Sequence, residues 1–325
     1  MTDRIPILDL GPYLAGQSGA RAALAAVTAR TCEDTGFLVL ANHDVPQPLI
    51  DRTFEQAARF FDLPDERKLP LHVGALNIGF LPTGAQVIRT SKVNVNTKPN
   101  LNESFYIAHE RGPDDPDIVA GNPLVGMNKW PEGMPAFRAA MLDYFATMER
   151  LAQRMLPVFA TALGLLPDYF AADFADPTCT LRLIRYQPQI DEADNQFGFA
   201  PHIDTNLITF LAQSALPGLE VLTREGGWVR PPAIPGTFVV NTAEMLGRYS
   251  NDRFKPTPHR VINRNDRMRY AIPFFLGPSN EAVIRCVPTC IGPDNPPRYE
   301  PLRYADHRLK LNQTNFAHRA AEAAG

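Results

Sequence analysis

The chain has 325 residues, 45% hydrophobic and 21% charged, with 32 Lys+Arg against 35 Asp+Glu for a formal net charge of −3. That length can bury a large core, in one large domain or two small ones, and the composition is ordinary for a soluble globular protein. The charge balance gives no electrostatic case for nucleic acid or an anionic membrane, and no apolar run approaches a membrane span.

The N-terminus, Met1-Thr2-Asp3-Arg4, runs straight into a strand-like Ile5-Pro6-Ile7-Leu8-Asp9-Leu10 without a signal-peptide pattern. Residues 19–35 read as a helix with Ala20, Leu24 and Val27 on one stripe and Gly36 as its stop. Phe37-Leu38-Val39-Leu40 follows as a buried strand, and Asn42-His43-Asp44-Val45-Pro46 as a turn. His43 is expected to be a hydrogen-bonded turn histidine rather than a ligand. A second helix over 47–62 places Leu49, Ile50, Phe54, Ala57 and Phe61 at helical spacing. Residues 73–102 are rich in Gly, Asn, Pro and Thr and lack periodicity, as irregular segments covering a binding site would. The longest element spans about 134–163, with Phe137, Met141, Tyr144, Met148, Leu151, Met155, Phe159 and Leu163 on one stripe. Pro157 lies inside it and should kink or split it.

From Leu181 onward the pattern turns to β, with short runs at 181–187, 207–212, 219–222, 237–241 and 269–276. Short strands at this density after helices favour a mixed α/β (α+β) protein: a double-stranded β-helix, or jelly roll, with flanking N-terminal helices. No internal repeat or low-complexity segment is present. A C-terminal helix is expected over 305–323, with His307 and His318 in solvent-facing or capping roles. Four scattered cysteines (Cys32, Cys179, Cys286, Cys290) lack the spacing of a zinc site, so free thiols in a reducing cytoplasm are expected.

The chemistry concentrates in Pro201-His202-Ile203-Asp204-Thr205 and Pro258-His259-Arg260-Val261. Residues two apart on a strand share a face, so His202 and Asp204 can grip one ion. His259, 54 intervening residues after Asp204, is the candidate third ligand. Two imidazoles and a carboxylate on one side of an ion form the facial triad of non-haem Fe(II) oxygenases, with three positions left open. By itself His-X-Asp is weak and is more often a surface turn. Arg269, ten residues beyond His259 in Arg269-Tyr270-Ala271-Ile272-Pro273, makes it specific.

At this point the chain resembles the isopenicillin N synthase-like family of 2-oxoglutarate/Fe(II)-dependent dioxygenases, which carries His-X-Asp, a distal His, and Arg-X-Ser shortly beyond. Pro217-Gly218-Leu219-Glu220-Val221, Ile234 through Asn241 and Arg253 through Val261 extend the likeness, as does Phe37 through Pro46, where Asp44 replaces the usual Gly. The resemblance implies His202, Asp204 and His259 as Fe(II) ligands, 2-oxoglutarate and O2 as cosubstrates, and a small molecule hydroxylated, desaturated or cyclised with release of succinate and CO2. It implies one catalytic unit over 1–325, with an N-terminal helical and strand region over 1–110 and the jelly-roll core over 178–285. Arg269 would bind the distal carboxylate of 2-oxoglutarate through its rigid fork. Ala271 stands where the family has the Ser that helps it. Tyr186 would line the site, with a core aromatic nearly as good a reading, and Asn241 carries no assigned role. Residues 73–109, Tyr106 among them, and the C-terminal segment would shape the substrate pocket. Two alternatives stand beside this: an Fe(II) oxidase or cyclase of the isopenicillin N synthase kind needing no 2-oxoglutarate, which Leu183-Ile184-Arg185-Tyr186 locally resembles, and, more remotely, a non-catalytic metal-binding protein. A halogenase is disfavoured because Asp204 fills the position chloride would need. Substrate identity and oligomeric state are not legible.

Overall fold

A computed structural model describes residues 5–88, 91, 93–189 and 195–314, the last three of these as backbone only. Twelve strands build the part of the fold that carries the site: β1 (Ile7–Asp9), β2 (Phe37–Ala41), β3 (Gly79–Leu81), β4 (Asn102–Ile107), β5 (Thr178–Tyr186), β6 (Phe199–His202), β7 (Ile208–Gln213), β8 (Leu219–Leu222), β9 (Trp228–Val229), β10 (Phe238–Thr242), β11 (His259–Val261) and β12 (Arg269–Gly277). They form an eight-stranded sheet in the order β1-β2-β10-β7-β12-β5-β4-β3 and a four-stranded sheet in the order β6-β11-β8-β9. This is the jelly roll with helices in front that the strand density predicts.

Strand alternation divides the large sheet into two chemically different faces. Leu38, Leu181, Leu183, Phe210, Val240, Ile272 and Phe274 point to one side and join the main apolar core. The helices Ala20–Asp34, Gln47–Phe61 and Pro135–Ala162 cover that side. Every residue of the stripe from Phe137 to Leu163 is buried there. Pro157 does not split the long helix, which runs unbroken from Pro135 to Ala162. The carbonyl that loses its partner to Pro157 is that of Gln153, an exposed residue, so water can satisfy it.

The opposite face carries Phe37, Val39, Ile184, Tyr186, Val239 and Ala271, which pack on Phe199, Leu219, Val221 and Val261 of the small sheet. The site lies in this second, smaller core. At the turn after β2, Asn42 and Asp44 both adopt positive φ (53° and 63°). That conformation explains the usual Gly at position 44, and Asp is among the few side chains that tolerate it. His43 is buried in that turn, its Nδ1 accepting from the Val45 amide at 3.2 Å, as a structural histidine should. The C-terminal helix is seen from Tyr304 to Thr314. The remainder of its predicted span, with His318, lies outside the described residues.

Candidate active site

The register of the small sheet assembles the metal-binding candidates. Antiparallel pairing of β6 with β11 sets His259 directly opposite His202, with ring centroids 4.2 Å apart. Asp204 follows β6 by two residues and turns back toward both rings. Its Oδ1 lies 3.4 Å from His202 Nε2 and 3.8 Å from His259 Nε2. The three side chains thus offer one ligand atom each within the reach of a single ion.

The surrounding groups fix which atoms are offered. His202 Nδ1 is 2.9 Å from the Ala200 carbonyl, and His259 Nδ1 is 3.3 Å from the Thr257 carbonyl. A carbonyl can only accept, so each ring carries its proton on Nδ1 and presents a bare Nε2. Asp204 Oδ2 accepts from Thr209 Oγ1 at 2.7 Å and Asn241 Nδ2 at 2.9 Å, which leaves Oδ1 for the ion. Burial alone would raise the Asp204 carboxyl, but His259, His202 and the Asn241 amide hold it well below the usual carboxylate range. Burial and the neighbouring His202 push the His259 imidazole down to about 4, so it is neutral and ready to ligate at ordinary pH. The donor set, two neutral nitrogens and one carboxylate oxygen with one side open, fits Fe(II).

Arg269 begins β12, opposite Tyr186 of β5. Its side chain is fully buried and passes over the Tyr186 ring, with the guanidinium carbon 5.1 Å from the centroid. Nε donates to the Leu216 carbonyl and Nη2 to Gln213 Oε1, both at 3.1 Å. Nη1 is buried with no partner. Burial lowers the guanidinium from its ordinary value, yet an arginine stays charged at neutral pH. Gly218 makes room for it: a Cβ there would sit 2.8 Å from Arg269 Cδ. Arg269, Ala271 and Pro273 line a cavity of about 50 Å³ together with Tyr186 and the triad. A second cavity of about 580 Å³ opens on the other side of His202 and Asp204. Ile88 from the irregular region and Tyr106 from β4 line it, as do Tyr304, His307 and Arg308 from the C-terminal helix. Arg182 borders both cavities.

Residues 5–133 match the family described as non-haem dioxygenase in morphine synthesis N-terminal, and residues 177–278 match the 2OG-Fe(II) oxygenase superfamily. Over 307 residues the chain is 33% identical to the 2-oxoglutarate-Fe(II) type oxidoreductase hxnY of Emericella nidulans, covering 93% of this chain and 87% of that protein. The chain belongs to the 2-oxoglutarate/Fe(II) oxygenase family. A full-length Neurospora crassa protein solved in complex with alpha-KG has the same fold, with TM-score 0.82, 25% identity, and coverage of 95% of this chain and 96% of that one. A 2OG-Fe(II) oxygenase family protein of Caulobacter crescentus gives TM-score 0.80 and 28% identity over 95% and 99% of the two chains. This oxygenase is therefore a 2-oxoglutarate-dependent dioxygenase rather than an oxidase working without the keto acid.

The structure brings all six sequence-derived candidates, His202, Asp204, His259, Arg269, Tyr186 and Ala271, to the wall of the small cavity. Arg185, in the stretch that resembles the synthase, points away from it and pairs with Glu103 at 2.6 Å and Asp62 at 2.7 Å on the helix side. Thr209 and Gln213 join the site without having been singled out by any motif, and Asn241 gains a role that its sequence position does not assign. Their only signal is a polar residue at alternate positions of otherwise apolar strands. A second cluster, His109, Glu149 and Cys179, also has metal-like spacing. There His109 Nε2 faces the Pro177 carbonyl at 3.1 Å, and burial pushes the Cys179 thiol well above its ordinary range, so the sulfur is a poor thiolate ligand.

Proposed function

We propose that His202, Asp204 and His259 hold one Fe(II), that Arg269 fixes the distal carboxylate of 2-oxoglutarate, and that the large cavity receives the small molecule to be oxidised. Bound Fe(II) with 2-oxoglutarate and O2 supplies a two-electron oxidation of the substrate, with release of succinate and CO2. The chain's own residues do the positioning. Thr209 and Asn241 hold Asp204 so that one oxygen faces the ion. Tyr186, Ala271 and Pro273 give the keto acid a dry slot, and Arg269 sits at its end with one donor free.

The observation that carries this reading is the buried, unpartnered Nη1 of Arg269 beside the triad. An unsatisfied buried cationic donor is costly, and a carboxylate entering the slot removes that cost. The Neurospora crassa structure with alpha-KG bound supports the assignment of the slot to a keto acid. The net charge of −3 gives no electrostatic support to nucleic acid as substrate, and the large cavity suits a small molecule. Four unpaired cysteines suit a reducing compartment such as the cytoplasm.

Metal analysis of the purified protein tests the triad, with one Fe(II) expected per chain. His259→Ala should lose both the metal and 2-oxoglutarate turnover while circular dichroism stays native. Full metal content and turnover in that variant would remove His259 from the site.

A further inference from the structure

Two arginines of β5, three residues apart, are treated oppositely by the fold. Arg185 faces the helices and is paired with the carboxylates of Glu103 and Asp62. Arg182 faces the cavities, is only 5% exposed, and has no carboxylate partner among the described residues. Its Nε and Nη2 donate to Ser104 Oγ at 3.0 and 2.8 Å, and Nη2 also reaches Gln86 Oε1 at 3.2 Å and Asn102 Oδ1 at 3.4 Å. All of these acceptors are neutral. Its Nη1 makes no hydrogen bond to a described residue.

A buried cation with only neutral partners has given up its hydration without gaining a counter-charge. Among the described residues, the remaining charges on the large cavity do not supply one. Glu244 is paired with Arg248 at 3.2 Å and Asp252 with Arg298 at 3.5 Å, while Asp204 faces the metal position. Arg308, which also lines this cavity, bonds Asn280 and the Leu124 carbonyl, and has no carboxylate partner among the described residues. The cavity therefore presents positive charge to its contents.

The rings of Tyr106 and Phe199 lie 4.7 and 4.8 Å from the Arg182 guanidinium carbon. With aromatic rings against it, the guanidinium is left to bind an anion along its edge. Nε and Nη2 are already committed to Ser104, Gln86 and Asn102, so Nη1 is the donor left on that edge for a carboxylate oxygen. Asn102 commits its amide to the Gly198 carbonyl at 2.6 Å, and Ser104 donates its hydroxyl to Asn102. The Asn102 and Ser104 donors that would help hold a phosphate dianion are thus already committed, while a carboxylate oxygen needs Nη1 alone.

We propose that the substrate is a small organic carboxylic acid whose carboxylate is bound by Arg182 between Tyr106 and Phe199, at the junction of the two cavities. The proposal rests on the oxygenase reading, which makes the large cavity the substrate site. A volume of about 580 Å³ suits an organic acid of modest size. Because Arg182 also borders the small cavity, its competing role would be to hold 2-oxoglutarate, and the experiment has to separate the two.

The test uses the Fe(II)·2-oxoglutarate protein without oxygen, titrated calorimetrically with benzoate, phenylacetate and octanoate and with their methyl esters. At least one acid should bind more tightly than its ester, by roughly tenfold or more, as expected for a charge-assisted bond. Arg182→Met should abolish that preference and leave 2-oxoglutarate affinity within about twofold, while Arg182→Lys should restore part of it. The acid–ester comparison in the unaltered protein stands even if a variant fails to fold. No acid preference, including no binding at all, overturns the proposal. So does loss of 2-oxoglutarate affinity instead of acid affinity in Arg182→Met, or tighter binding of phenyl phosphate than of every acid. Succinate formation from 2-oxoglutarate in the presence of each acid is followed separately in air. Its absence alongside a clear acid preference would sink the oxygenase reading and leave the anion site standing.

Discussion

The two cavities meeting at His202 and Asp204 are built from different material. The small one is walled by strands. Arg269, Ala271 and Pro273 come from β12, Tyr186 from β5, Thr209 and Leu211 from β7, and Asn241 from β10. Their positions are set by register, as when Arg269 stands opposite Tyr186 and Ala271 opposite Gln213. The large one is walled mainly by irregular chain and by helices: Leu76, Gln86 and Ile88 from one side, Glu244, Arg248 and His307 from the other. A one-residue slip in a strand would turn its cavity face outward, so the strand-built slot tolerates little change. Loops and helix ends accept substitution more freely. A keto-acid slot can therefore stay constant while the substrate chamber is remodelled.

The largest effect on the strand-built slot should come from Arg269→Leu. Removing the charged partner of a desolvated carboxylate costs about 2–5 kcal/mol. The affinity for 2-oxoglutarate should fall accordingly, with the triad's metal content unchanged. Equal loss of substrate affinity in the two-ligand titration would mean that Arg269 serves both cavities. Gly218→Ala should act in the same direction, because the new Cβ would meet Arg269 Cδ and Nε at 2.8 and 2.9 Å.

Next in size is the support of Asp204. Thr209→Val deletes the 2.7 Å hydrogen bond to Oδ2, and Asn241→Leu deletes the 2.9 Å one. Partners of metal ligands typically contribute 10–100-fold in metal affinity. Each variant should therefore weaken Fe(II) binding by about that factor in a competition with a chelator, and leave 2-oxoglutarate affinity of the metal-saturated protein nearly intact. Unchanged metal affinity in both would show that Asp204 is held by the backbone alone.

The difference between the cavities is also the difference in what could be read in advance. His202, Asp204, His259 and Arg269 were legible because strand periodicity and short spacings carry geometry within the sequence. The helices were legible for the same reason, down to the buried stripe from Phe137 to Leu163. Arg182 was not, although it lies four residues before Tyr186. Nothing in Leu181-Arg182-Leu183-Ile184-Arg185 says that the second arginine meets carboxylates on the helix side while the first meets, among the described residues, the neutral acceptors of Ser104, Gln86 and Asn102. That outcome depends on β4 pairing with β5 and on where residue 86 falls, both long-range consequences of the fold. Thr209 and Asn241 were illegible for a related reason. Each is one polar residue in an apolar strand until β7 and β10 are set beside each other, with Asn241 paired to Thr209.

A subtler contrast comes from the large cavity's strand-borne wall. Tyr106 lies on β4, buried against Arg182, on the chamber side only. Tyr106→Leu removes one ring from the guanidinium's face, a contact worth about 0.5–2 kcal/mol. It should lower affinity for the substrate and change the preference among substrates, with 2-oxoglutarate affinity untouched. An effect confined to 2-oxoglutarate would move Tyr106 out of the substrate chamber.

The smallest effect should come from Ala271→Ser. Ala271 shares a strand face with Arg269, and its methyl group looks into the slot where the family carries a hydroxyl. The site is tight and Ala271 is buried, but serine adds only one oxygen to that methyl. In Ala271→Ser the hydroxyl can donate to the distal carboxylate that Arg269 Nη1 also reaches for. A single added hydrogen bond contributes about 0.5–1.5 kcal/mol, so 2-oxoglutarate should bind more tightly by tenfold at most. Substrate affinity should not move, because Ala271 borders the small cavity alone. Tightening of 2-oxoglutarate with substrate unchanged would place the carboxylate beside residue 271. Weaker 2-oxoglutarate binding would mean instead that the slot has closed around alanine, with Gln213 holding Arg269 in a position that leaves no room for a second donor.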